Sequence, residues 1–172
     1  MSETDASGAA APSYSPEQIA ALFLDALRRG DVALAGQMLD AGIDREAPDP
    51  RGFPPLVIAA YAGQEAAVAL LLGHGARVDA RDARGNTALL GVAFKGYEAV
   101  ARRLLDGGAA VDAANGSGQT ALMVAAAFGR EAIVDLLLAA GASTTLRDER
   151  GETAAELARG MGGNAALADR LG

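Results

Sequence analysis

The chain has 172 residues, no cysteine, a net charge of −7 and a 51% hydrophobic composition with only 4% aromatic residues. That length suits one domain with a sizeable core. The missing cysteine removes disulfides, thiolate metal sites and cysteine nucleophiles.

The acidity is uneven. Residues 1–50 hold nine acids against three arginines, and the remainder thirteen acids against twelve bases. No global basic field is present, so nucleic acid is not an expected partner. No apolar run approaches the roughly 18–20 residues of a membrane span, and the acidic start of the chain lacks the apolar stretch of a secretory signal. The sequence therefore reads as cytoplasmic, with no membrane partner.

The first 14 residues are small, polar and aperiodic, and are expected to be disordered. Beyond them the chain repeats itself at a shift of 33. Residues 51–83 read RGFPPLVIAAYAGQEAAVALLLGHGARVDARDA, residues 84–116 read RGNTALLGVAFKGYEAVARRLLDGGAAVDAANG, and residues 117–149 read SGQTALMVAAAFGREAIVDLLLAAGASTTLRDE. One glycine series runs Gly30, Gly63, Gly96, Gly129, Gly162; another runs Gly42, Gly75, Gly108, Gly141. A period in this range predicts a solenoid whose units complete their cores against one another.

Each unit predicts two helices. The first starts near Thr87 or Thr120, whose hydroxyls suit an N-cap, and is Ala-rich, so it can lie close to its neighbours. A glycine then breaks it in the left-handed conformation. The second carries Ile133, Val134, Leu137 and Leu138 on one face, with Glu131 and Asp135 off it. It ends at the second glycine, and a polar turn leads into the next unit.

These residues resemble the ankyrin repeat family. Its pattern, roughly G-x-T-P-L-x-x-A-A-x-x-G-x-x-x-x-V-x-x-L-L-x-x-G-A, is matched by GQTALMVAAAFGREAIVDLLLAAGA at nearly every fixed position. The resemblance implies an all-α solenoid with short hairpin turns and about five repeats. Residues 15–50 resemble a degenerate N-terminal capping repeat, in which Gly30 and Gly42 keep register, and residues 150–172 a truncated C-terminal one. The family histidine is replaced by Val57, Leu90, Met123 and Glu156, and its proline is kept only at Pro55.

Nothing in the chain reads as catalytic or cofactor-binding. The single histidine, His74, falls at a helix end without a serine partner in register. Asp79, Asp82, Asp112 and Asn115 recur in the turns without the dense spacing of a calcium loop. The resemblance gives these acids the role of capping and tying hairpins. The glycine-rich GGAAVDAANGSGQT lacks both a dinucleotide fingerprint and a Walker lysine. The expectation is no enzyme, no metal and no cofactor.

The resemblance instead implies a concave face that binds another protein. Its contact positions flank the hairpin-tip glycine and precede the mid-repeat glycine. Carried over, they are Arg51, Phe53 and Tyr61 in the first full unit, then Arg81, Arg84, Asn86, Phe94 and Lys95. The third unit gives Gln119 and Phe128, and the last Arg147, Glu149, Arg150, Glu152 and Met161. Four of the seven Phe and Tyr residues fall in this set, with arginines beside them, and both types are enriched at interface hot spots. Tyr97 begins a second helix behind that face. The resulting expectation is a monomeric protein-binding module, or alternatively an accessory, inhibitor or immunity-type regulator of an enzyme or toxin of the small bacterial kind. One lysine against fourteen arginines suggests a GC-rich genome.

Overall fold

The computed structural model describes residues 14–160 and 164–172. The expectation of disorder over 1–13, and the contact assigned to Met161, lie outside the described residues. Among the described residues ten helices follow in pairs: α1 (Pro16–Arg29) with α2 (Val32–Asp40), α3 (Pro55–Tyr61) with α4 (Glu65–Gly73), α5 (Ala88–Lys95) with α6 (Glu98–Asp106), α7 (Ala121–Ala127) with α8 (Glu131–Ala139), and α9 (Ala154–Gly160) with α10 (Ala165–Leu171). Among the described residues there is no strand.

The first helices of successive pairs pack in the order α1, α3, α5, α7, α9, and the second helices in the order α2, α4, α6, α8. The protein is thus a two-layer stack. Most of these helices have only seven to nine residues, too few to persist alone in water, so their stability comes from packing. Ala59, Ala60, Ala93, Ala125, Ala126 and Ala158 are fully buried between the layers. Such small side chains let the backbones approach. Larger groups fill what remains, among them Phe23, Leu27, Leu71, Leu104 and Leu137.

The helix starts follow the local chemistry. Ser15 forms a reciprocal capping box with Gln18 at the start of α1. The buried Thr87 and Thr120 hydroxyls accept from the amides of Leu90 and Met123. Where the family histidine is absent, two substitutes reach back to the capping residue. Met123 Sδ accepts from the Thr120 amide at 3.5 Å, and Glu156 Oε2 accepts from the Thr153 amide at 2.7 Å. That bond, with the Arg147 guanidinium beside it, holds the Glu156 pKa below its ordinary value against a desolvation effect that raises it. Gly96 closes α5 at φ 83°, a conformation a side chain would strain.

Two sets of polar ties run up the stack. Asp49, Asp82, Asn115 and Asp148 occupy one slot at successive turns. Each presents one oxygen to the amides two and four residues ahead: Arg51 and Phe53, Arg84 and Asn86, Ser117 and Gln119, Arg150 and Glu152. In a second slot, the carboxylates of Glu46, Asp79 and Asp112 accept from the amides of Arg77, Ala110 and Ser143 in the following unit. The turn tips also bond directly, Gly116 N–H to Arg84 O at 2.9 Å and Glu149 N–H to Ser117 O at 3.0 Å.

His74 lies at the end of α4. Its Nδ1 is 2.9 Å from Leu70 O and its Nε2 is 3.2 Å from Asp40, so it links two outer helices. The Leu70 carbonyl, and then the Asp40 carboxylate, raise its pKa.

Candidate binding groove

The helices and turns together define a groove of about 800 Å³ on the side of the first helices. Its floor comes from α3, α5 and α7, with Val57, Ile58, Leu90, Gly91 and Val124 among the lining residues. Turn residues Arg51, Phe53, Arg84, Asn86, Asn115 and Gln119 line it as well. Tyr61, Phe94 and Phe128 stand at the C-terminal ends of the three floor helices.

The three rings form a connected row. Tyr61 and Phe94 are parallel, with centroids 6.5 Å apart and planes within 4°. Phe94 meets Phe128 edge-on, at 4.7 Å and 85°. Both arrangements suit the quadrupoles of the rings. Tyr61 is 46% and Phe128 45% exposed, so internal packing accounts for only about half of each. Two cations rest on aromatics: Lys95 Nζ lies 4.5 Å from the Tyr61 centroid, and the Arg51 guanidinium 5.2 Å from that of Phe53.

The charged end of the groove is organised by Asp49, whose side chain is 3% exposed. Arg28 and Arg51 approach its Oδ2 at 3.3 and 3.4 Å. Burial raises the Asp49 pKa, but the amides of Phe53 and Arg51 and the Arg51 guanidinium outweigh it and hold the group below its ordinary value. Asp49 is thereby an anion that positions two guanidiniums.

Eight of the sequence-chosen residues line this one groove: Arg51, Phe53, Tyr61, Arg84, Asn86, Phe94, Gln119 and Phe128. Lys95 touches it through Tyr61. Arg150 lies on a separate hollow with Asp148, Glu149 and Glu152. Arg81 and Arg147 are engaged within the chain. Arg81 Nη1 donates to Gly85 O at 2.8 Å and Ala114 O at 2.6 Å, while Arg147 Nη1 donates to Gly151 O and, at 3.1 Å, to Glu156. Tyr97 sits behind the face, its ring against Gly63.

The floor residue that sequence reasoning passed over is Gly91. A Cβ there would come within 3.2 Å of the Tyr61 ring, so its absence is what lets that ring lie down on α5. The signal was available. The same slot holds Ile58, Val124 and Leu157 in the other units, and a glycine inside a helix costs about 1 kcal/mol relative to alanine.

A stack of paired short helices with a groove along its first helices defines a helical-repeat solenoid of the binding type. The chain belongs to the ankyrin repeat family, whose sequence pattern matches in three copies over residues 56–148. Ankyrin repeats are generally protein–protein interaction modules and typically non-catalytic. No curated protein matches the chain significantly. Among the described residues, no helix is long and apolar enough to cross a membrane.

Proposed function

We propose that this chain is a non-catalytic, monomeric module that binds a partner protein in the groove along α3, α5 and α7. The observation that carries the reading is the row Tyr61, Phe94, Phe128. Three rings follow one another along one edge of the groove, Phe94 paired with each neighbour and the outer two about half uncovered. Aromatic side chains bring large contact area at low entropic cost, which is why they anchor interfaces. The floor helices are packed on both sides, so the surface is already in place before binding and little ordering is needed.

The test compares the wild-type protein with Tyr61→Ala/Phe128→Ala as bait in cells of the native organism. Both side chains are exposed enough to be removed without opening the core. Partners recovered by the wild type are expected to disappear with the double variant while the far-ultraviolet spectrum and unfolding midpoint stay close to wild type. Recovery of the same partners at the same yield by a folded variant would place the binding surface elsewhere.

A further inference from the structure

The groove differs in charge from the molecule that carries it. The whole chain is at −7, yet the groove's ionised side chains are mostly cationic. At one end, a single buried carboxylate, Asp49, faces two guanidiniums, Arg28 and Arg51, which leaves one positive charge over. Among the described residues, Arg84 and Lys95 form no ion pair. The other acid at the groove among the described residues, Asp82, has its oxygens turned to the amides of Arg84 and Asn86 and to the Asn86 side chain. The groove therefore offers cationic donors to an occupant and few free acceptors. Acids reappear only further along, where Glu149 and Glu152 line the neighbouring hollow.

Arg51 and Arg84 lie on one edge of the groove and the ring row on the other, where Lys95 rests on Tyr61. Arg51 and Arg84 are in the turns that precede α3 and α5, whereas Tyr61 and Phe94 are at the far ends of those helices. Seven or eight helical residues separate the edges by roughly 10 Å, with an apolar floor between. An extended chain sends successive side chains to opposite sides, so a segment lying along the groove addresses both edges at once.

Resting on the binding reading above, we infer that the occupant is an extended acidic segment of a partner protein, with carboxylates directed to Arg51 and Arg84 and an aliphatic or aromatic side chain against Tyr61 and Phe94. A single-stranded nucleic acid would also offer anions and flat rings. The protein's overall negative charge opposes a long polyanion, whereas a short segment with a few carboxylates needs only the local field, which falls off within about 8–10 Å at moderate salt.

The experiment selects a random dodecapeptide library, displayed on phage, against the full chain. Recovered peptides are then made with a fluorescent label and titrated by anisotropy. Enrichment of Asp and Glu together with Leu or Phe is expected. Affinity should fall about tenfold in Arg51→Glu/Arg84→Glu, decline with added salt for the wild type, and return in the double variant for a peptide whose acids are replaced by Lys. Both arginine side chains are exposed, but a glutamate at 51 faces Asp49, so the unfolding midpoint of the double variant is measured alongside Arg84→Glu alone, and the salt titration needs no variant at all.

Neutral or basic peptides that lose binding in Tyr61→Ala would overturn the acidic occupant while leaving the groove as the binding site. Peptides indifferent to both sets of substitutions would overturn the groove itself. An empty selection, or tighter capture of a labelled single-stranded oligonucleotide than of any peptide, would also overturn the inference. So would a selection that yields peptides only after residues 1–13 are removed, because the acidic N-terminal segment would then be the occupant.

Discussion

The Phe94 and Phe128 rings meet edge to face, their centroids 4.7 Å apart and their planes at 85°, across two units of the stack. The contact joins different slots of the repeat: Phe128 directly precedes Gly129, while Phe94 stands one residue further back from Gly96. It therefore belongs to this protein and not to the repeat. A double-mutant cycle with Phe94→Leu and Phe128→Leu should show a coupling of about 0.5–1 kcal/mol in urea unfolding, beyond the loss of area. Strict additivity would mean that the rings are merely adjacent.

Asp49 should be replaceable by asparagine but not by alanine. Asn115 does the same work in the equivalent slot, accepting from two amides through its side-chain oxygen. Asp49→Ala strands the amides of Arg51 and Phe53 and should cost about 2–3 kcal/mol; Asp49→Asn should cost clearly less. The pH dependence separates them further. A depressed carboxylate pKa contributes stability that is present above its unfolded value, ordinarily 3.8, and is lost as pH falls through the folded one. Acid unfolding of Asp49→Asn should lack that component. Equal costs for the two substitutions would show that charge, not the amide bonds, holds the turn.

Gly91→Ala sets helix propensity against the Tyr61 ring. The alanine is worth roughly 0.5–1 kcal/mol in a helix interior, but its Cβ meets the ring at 3.2 Å, and the ring must shift. The gain should be small in the wild-type background and approach its full size in Tyr61→Ala. Chemical denaturation of the four proteins measures it, and the same gain in both backgrounds would remove the link between these residues.

His74 gives the outer layer a weak dependence on pH. Its pKa is raised by the Leu70 carbonyl and the Asp40 carboxylate, so its contribution is complete below the ordinary 6.5 and disappears as pH rises through the folded value. The melting temperature should fall slightly between about pH 6 and about pH 8, and His74→Gln should flatten that change. An identical slope in both proteins would assign the dependence to other groups.

The helices and their order were legible because burial imposes the period on every unit. Thr87 and Thr120 mark real N-caps, and Gly96 a left-handed stop, because only a few residue types satisfy those backbone conditions. The groove was legible in part. Slot position told which residues border the face, and Phe53, Tyr61, Phe94 and Phe128 do line it. It could not tell what each side chain does with its hydrogen bonds. Arg81 and Arg147 share a slot two units apart, and each turns its guanidinium to the carbonyl four residues ahead. Periodicity carries no information about rotamers, so Arg81, turned onto scaffold carbonyls, and Arg84, which lines the groove, look alike in sequence. Gly91 escaped for a related reason: its effect is on the ring of Tyr61, thirty residues earlier.

The carboxylates of Glu46, Asp79 and Asp112, each reaching an amide of the next unit, make three of the four joints of the stack alike. If residues 84–116 were excised, Asp79 would stand where Asp112 does now, facing Ser143, and α3 would inherit the place of α5 against α7. Such a shortened chain keeps all its kinds of joint but loses Arg84, Gly91 and Phe94 together. Architecture in this protein can drift by duplication and deletion of whole units, while the proposed groove would lose one of its cations and the middle ring of its row with a single excised unit.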